Sequence, residues 1–182
     1  MMEIDKTKNW YSLSGKKIND ISNEIKETLE EYKRYFPENK SQIMIGTDSQ
    51  RHGNIIVYVT ALAVISGGHG GRAYYVRQKE SIPGITLDIT TSRRKEIIKG
   101  YIIARLWNET ILSVEYANYI NQLIIDTGIQ IKDIHCDINS NKKYKSSDIV
   151  KSTIGYVQGL GFNCVVKPYG WVASCISNSK TK

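Results

Sequence analysis

Cysteine is scarce in this chain, and the three present, Cys136, Cys164 and Cys175, are odd in number. They lie inside apolar segments without the paired short spacings of a zinc site, which argues against a disulfide framework and reads as reduced, mostly buried thiols. No apolar run approaches the roughly 18 uninterrupted residues of a membrane span. The opening MMEIDKTKNW carries charges where a signal peptide needs an apolar stretch. A soluble, cytoplasmic protein with no membrane partner is expected. Acidic residues are the minority among the charges: 18 Asp and Glu face 25 Lys and Arg, a formal charge of +7 that favours an anionic partner, nucleic acid first. Plain solubility is the competing use of the same lysines. With no internal repeat, low-complexity tract or long linker, residues 1–182 read as one domain, with an N-terminal arm and helix over 1–40 and the core over 41–182.

What is present is clear periodicity. In KKINDISNEIKETLEEYKRYF, Ile18, Ile21, Ile25, Leu29, Tyr32 and Phe36 recur at steps of three and four, an amphipathic helix that Pro37 ends. Three strand-like runs follow, IMIGTD, IIVYVTALAVI and RAYYVRQKE, the last two joined by the glycine-rich SGGHGG. Residues 92–126 carry long helical periodicity with Gly100 as a candidate break and Gly128 as the stop. IQIKDIHCD reads as a strand, SSDIVKSTIGYVQGLG as a helix closed by glycine, FNCVVKP as a strand closed by Pro168, and WVASCISNSK as a brief final helix. The order β-β-β-α-β-α-β-α after an N-terminal helix predicts an α/β fold with a five-stranded mixed sheet, a meander continued by parallel crossovers.

Three carboxylates stand where a core would not place them. Asp48, in SQIMIGTDSQRHGN, is expected where its strand leaves the core, and Asp137 at the end of IHCD. Ligands gather at the carboxyl ends of strands in such sheets, although Asp beside Ser or Asn also forms ordinary turns. Glu109 interrupts the apolar stripe Ile102, Leu106, Leu112, Tyr116, Ile120 and Leu123. Buried there, it requires a partner: either Arg105, one turn back, or a metal ion. If adjacent strands bring Asp48 and Asp137 together, their repulsion is relieved by cations between them. Hard divalent ions with oxygen ligands, Mg²⁺ or Mn²⁺, suit such a cluster, and two of them would activate water for phosphodiester hydrolysis.

The frame resembles the ribonuclease H-like fold, and the segments YSLSGKKI, IGTDSQ, RLWNETILSVEYA, IHCDIN, GYVQGLGF and VKPYGWVAS, spread from Tyr11 to about Ser174, resemble the YkuK-type family of ribonuclease H-related predicted nucleases. That resemblance implies a divalent-metal-dependent nuclease acting on RNA, DNA or an RNA–DNA hybrid. Asp48 takes the place of the first-strand Asp, Asp137 that of the fourth-strand Asp, and Glu109 that of the helix Glu, with Glu96 or Asp88 as alternatives. The family pattern continues from KP…AS into an Ala-Asp pair where this chain has Ser177-Asn178. Asn178 can offer a metal a neutral oxygen but no negative charge, so one of two ions would be held less tightly. The alternative is a catalytically weakened or inactive module that binds nucleic acid, a nucleotide or a protein.

Other residues carry weaker expectations. Lys167, closing the last strand, and Ser49, beside Asp48, are the substrate-contact candidates. TSRRKEIIKG and NSNKKYKSSD, the latter with Tyr144 interleaved, suit phosphate contacts. His69 reads as part of an exposed turn. His135 shares a strand face with Asp137, as support for the site or as packed core, and Cys136 points to the other face.

Overall fold

The computed structural model describes residues 3–82, 91–139, 149–177 and 180. Two short strands come first, β1 (Trp10–Ser12) and β2 (Lys17–Ile18), then helix α1 (Ile21–Tyr35). Ile18 is therefore not part of the helical stripe: it is buried as a strand residue opposite Trp10. The reason is Asp20, whose carboxylate accepts the Asn23 backbone N–H at 3.1 Å and sets the helix start after it. From there Ile21, Ile25, Leu29 and Tyr32 form the buried face of α1, as their spacing requires.

Strands β3 (Ser41–His52), β4 (Ile55–Ser66) and β5 (Gly71–Ser81) form the expected antiparallel meander. β3 is longer than its apolar run. Its polar half stays paired with β4 out to His52↔Ile55, because a ladder is held by backbone groups whatever the side chains. Asp48 thus lies within the strand, opposite Val59, and not at its end. What stops beside Asp48 is the pairing on the other edge of β3, which joins β6 only from Met44↔Asp133 to Thr47↔Cys136.

Helix α2 (Thr91–Leu123) runs unbroken past Gly100 and is followed by a 3₁₀ turn, Ile125–Thr127. Next come β6 (Asp133–Asn139), α3 (Val150–Gly159) and β7 (Asn163–Lys167). α3 ends as its glycines suggest: Gly161 adopts φ +88°, which lets its N–H bond the Gln158 carbonyl at 2.9 Å and the Phe162 N–H bond Val157 at 3.2 Å. The final segment, Val172–Ser177, is helical but wound as a wider π-turn.

The sheet order is β2-β1-β5-β4-β3-β6-β7. The five expected strands are its β5-to-β7 part, with β6 and β7 parallel to β3, and the two N-terminal strands extend it beyond β5. Alternation along each strand separates two faces. One carries Ile43, Ile45, Tyr58, Leu62, Tyr74, Ile134 and Ile138, packed in the large core with residues of α1, α2 and α3. The other carries small side chains, Ala61 and Ala63, with Met44, Val59 and Tyr75, and is covered by Val172 together with Trp171 and Ile176. Gly46 makes that cover possible, since a Cβ there would lie 2.5 Å from the His135 carbonyl and 2.9 Å from the Ala173 nitrogen.

Candidate functional site

The point where β3 and β6 part is where the predicted residues gather. Continuing the register one step past Thr47↔Cys136 sets Asp48 beside Asp137. Asp48 shares parity with Gly46, and Asp137 with His135, whose Nδ1 accepts the Val172 N–H at 3.2 Å. Both aspartates therefore belong to the face covered by the C-terminal segment. Burial, and then the charge of Asp137, raise Asp48 to about 6, with Arg105 and Lys167 acting the other way. His135 is buried and its basicity is lowered by that burial.

Glu109 lies on the opposite face. Its partner on β3 is Ser49, not Asp48: the Ser49 hydroxyl donates to Glu109 Oε1 at 2.6 Å, and both residues are buried. Arg105 braces the pair, its Nη1 donating to the Ser49 carbonyl at 3.0 Å and its Nε standing 3.9 Å from Glu109 Oε1. A ladder of hydroxyls continues inward, Ser113 Oγ donating to Thr47 Oγ1 at 2.8 Å and Thr47 meeting Thr60 at 2.9 Å. Burial, with the charge of Asp48 adding to it, pushes the Glu109 carboxyl up to about 8, so at neutral pH it is largely protonated. Lys167 closes the other end of the site: its Nζ is 2.5 Å from Asp137 Oδ1.

This strand order, with carboxylates where the central strands part, agrees with the outcome of comparison with protein families. A model described as Ribonuclease H-like matches residues 21–182. The chain belongs to the ribonuclease H-like family. Comparison with curated proteins and with solved structures yields no match. The ribonuclease H-like sheet and its helices are as expected, and among the described residues no helix is long and apolar enough to cross a membrane.

The metal expectation is corrected. Among the described residues of this ribonuclease H-like chain, no three His, Cys, Asp or Glu side chains form a group that could hold a metal ion. The residues do not fit Mg²⁺ or Mn²⁺ because the donors are divided and already engaged. Glu109 reaches β3 from the helix side, bonded to Ser49 and braced by Arg105, while Asp137 is paired with Lys167. The reading as a divalent-metal-dependent two-metal nuclease falls with that donor set. Of the two partners open to Glu109 in the sequence, Arg105 is the one it has, with Ser49 as a third that spacing alone passed over.

Asn178, Asp88 and Tyr144 lie outside the described residues. Glu96 is exposed near the start of α2, roughly 20 Å along the helix from Glu109. His69 is exposed in its hairpin turn, its ring stacked on Phe36 with centroids 3.9 Å apart. Ser49, buried and donating to Glu109, is turned from the aspartate face. One group is not apparent from motifs. On β5, Arg77 lies in the same row as Val59 and Asp48, two strands across, with exposed Lys79 two residues on. Arg77 and Lys180 both stand over the Tyr75 ring, at 5.3 and 5.6 Å, and Tyr75 stacks on Tyr11. The alternation of Ala73, Tyr75, Arg77 and Lys79 in RAYYVRQKE is the signal the sequence holds for it, since it puts all four on one face.

Proposed function

We propose that this ribonuclease H-like chain, acting as a single domain, is a nucleic-acid-binding module. The observation that carries this reading is the state of the carboxylates: Glu109 and Asp137 are matched by the protein's own hydroxyl and cation, an arrangement that suits holding a ligand nearby better than assembling a hydrolytic centre. The charge of +7 supports a polyanionic ligand, and Arg77 and Lys79 on β5, with Lys180 of the C-terminal segment, supply phosphate contacts beside the aromatic pair Tyr11–Tyr75. Within this reading Asp48 and Asp137 act as negative determinants that orient the backbone by repulsion, and Glu109 and Ser49 hold β3 against α2. We infer further that the chain stands with the YkuK-type branch, a placement supported by the ordered segments from YSLSGKKI to VKPYGWVAS.

The test is fluorescence anisotropy with labelled single-stranded RNA, single- and double-stranded DNA and an RNA–DNA hybrid, across a salt series. Wild type is expected to bind at least one of these with affinity falling as salt rises. Arg77→Glu/Lys79→Glu should reduce both the affinity and the salt slope, the slope by about 0.7–0.9 for each phosphate no longer neutralised. Absence of binding to all four ligands at low salt refutes the proposal.

A further inference from the structure

Asp48 and Asp137 stand side by side where β3 and β6 separate, an arrangement that a positive charge against the pair stabilises when both are ionised. Free cations are not the only source of that charge. Lys167 brings its ammonium to 2.5 Å from Asp137 Oδ1, with side-chain exposures of 39% for the lysine and 21% for the aspartate, so the contact is half withdrawn from water. At that distance the ammonium and the carboxylate oxygen are in direct charged contact, the kind a compact ammonium provides. The other cation near the pair, Arg105, also acts on Asp48 but spends its hydrogen bond on the Ser49 carbonyl and stands against Glu109, which leaves Lys167 as the cation in direct contact with Asp137.

The stem of Lys167 is held where it is needed. Its backbone is the last position of β7, opposite Asn139, and the chain then turns at once. Tyr169 and Gly170 both donate to the Val166 carbonyl at 3.0 Å. Gly170 packs so closely that a Cβ would lie 2.6 Å from the Val165 carbonyl and 3.2 Å from that of Cys136. That turn locks β7 to β6, and a cation tethered to a locked strand competes with free ions at a high effective concentration.

We propose that the Lys167 ammonium is the built-in counter-ion of the Asp48–Asp137 pair, holding the place a divalent cation would take and closing it to such ions. The inference goes beyond nucleic-acid binding and does not depend on it. It accounts for a ribonuclease H-like sheet that keeps two neighbouring aspartates without assembling a metal-holding group.

Mn²⁺ titration followed by the paramagnetic resonance of the free ion, with no nucleic acid present, tests it on the full chain. Lys167→Met is expected to gain about tenfold in Mn²⁺ affinity over wild type, the effect of roughly one pK unit of charge interaction. Lys167→Arg should behave as wild type, and Lys167→Met/Asp137→Asn should lose the gain. The proposal is overturned if wild type takes up Mn²⁺ as tightly as Lys167→Met, if Lys167→Met shows no gain, or if the gain survives in the double variant. Since Lys167 is part-exposed at a strand end, these variants keep the core residues intact, and the arginine variant controls for any local disturbance.

Discussion

Replacing Glu109 by glutamine should make the protein more stable in mild alkali, the reverse of what truncating a buried side chain ordinarily does. The carboxyl titrates at about 8 in the folded chain, against an ordinary value of 4.5, chiefly because it is buried. The folded state therefore binds the proton more tightly than the unfolded state, and stability is fully present below about 4.5 and lost as pH rises through 8. Between pH 6 and 8 the unfolded carboxylate is already ionised, so this one group lowers folding stability by about 2 kcal/mol, the limiting slope of about 1.4 kcal/mol per pH unit easing as the pH nears 8. Asp48 acts in the same direction, but with its value raised to about 6 most of its effect falls below that window. His135, its basicity lowered by burial, acts in the opposite direction and is shared by both proteins, so it cancels in their difference. Glutamine keeps an oxygen for the Ser49 hydroxyl and removes the charge, giving up only the long approach to Arg105. Urea unfolding followed by circular dichroism at half-unit intervals from pH 6 to 8 should show wild type weakening and Glu109→Gln holding nearly level. Parallel curves for the two proteins would mean that Glu109 is ionised throughout, and the account of the site would be wrong.

The hydroxyl ladder gives a second prediction. Thr47→Val removes the acceptor of Ser113 and the partner of Thr60 in a dry setting and should cost about 1–3 kcal/mol, read as a lower urea midpoint. Gly46→Val should be more damaging, because its branched side chain would collide with the His135 carbonyl and the Ala173 backbone; thermal unfolding should show a fall in Tm, and a variant as stable as wild type would refute the close approach. Asp20→Ala, by contrast, should cost about 1 kcal/mol by removing the cap of α1, without changing nucleic-acid binding.

Long apolar periodicities are legible in the sequence and prove sound: the α1 face from Ile21 to Tyr32, the meander, and helix α3 stopped by the turn at Gly161 all follow from spacing and from turn-forming residues. Polar strand segments are not. Ser49 to His52 have no apolar rhythm, yet they pair along β4, and β1 and β2 are too short for any rhythm to register. At the site, the meeting of Asp48 and Asp137 can be read from the order of strands, but the side that Glu109 takes cannot be read from its helix alone. Period-two alternation from Ile45 to Ser49 holds that information, since the face that buries Ile45 is the face of α2 and carries Ser49. Lys167 is legible only as a cation at a strand end. Its choice of Asp137 over an external anion depends on the β6–β7 pairing, which joins segments far apart in the chain.

The two N-terminal strands have a consequence for how copies of the chain meet. Trp10 to Ser12 occupy the hydrogen-bonding edge of β5 from Tyr74 to Val76, a stretch that would otherwise offer an open template to another molecule's backbone. The margin beyond is β2, two residues long, with Lys17 exposed on it, too short and too charged to recruit a foreign strand. Residues that seat Trp10 and Ile18 in the core thus also act as a guard against fibrous self-association, and light scattering of a chain lacking residues 1–19 should register their removal as growth of large aggregates.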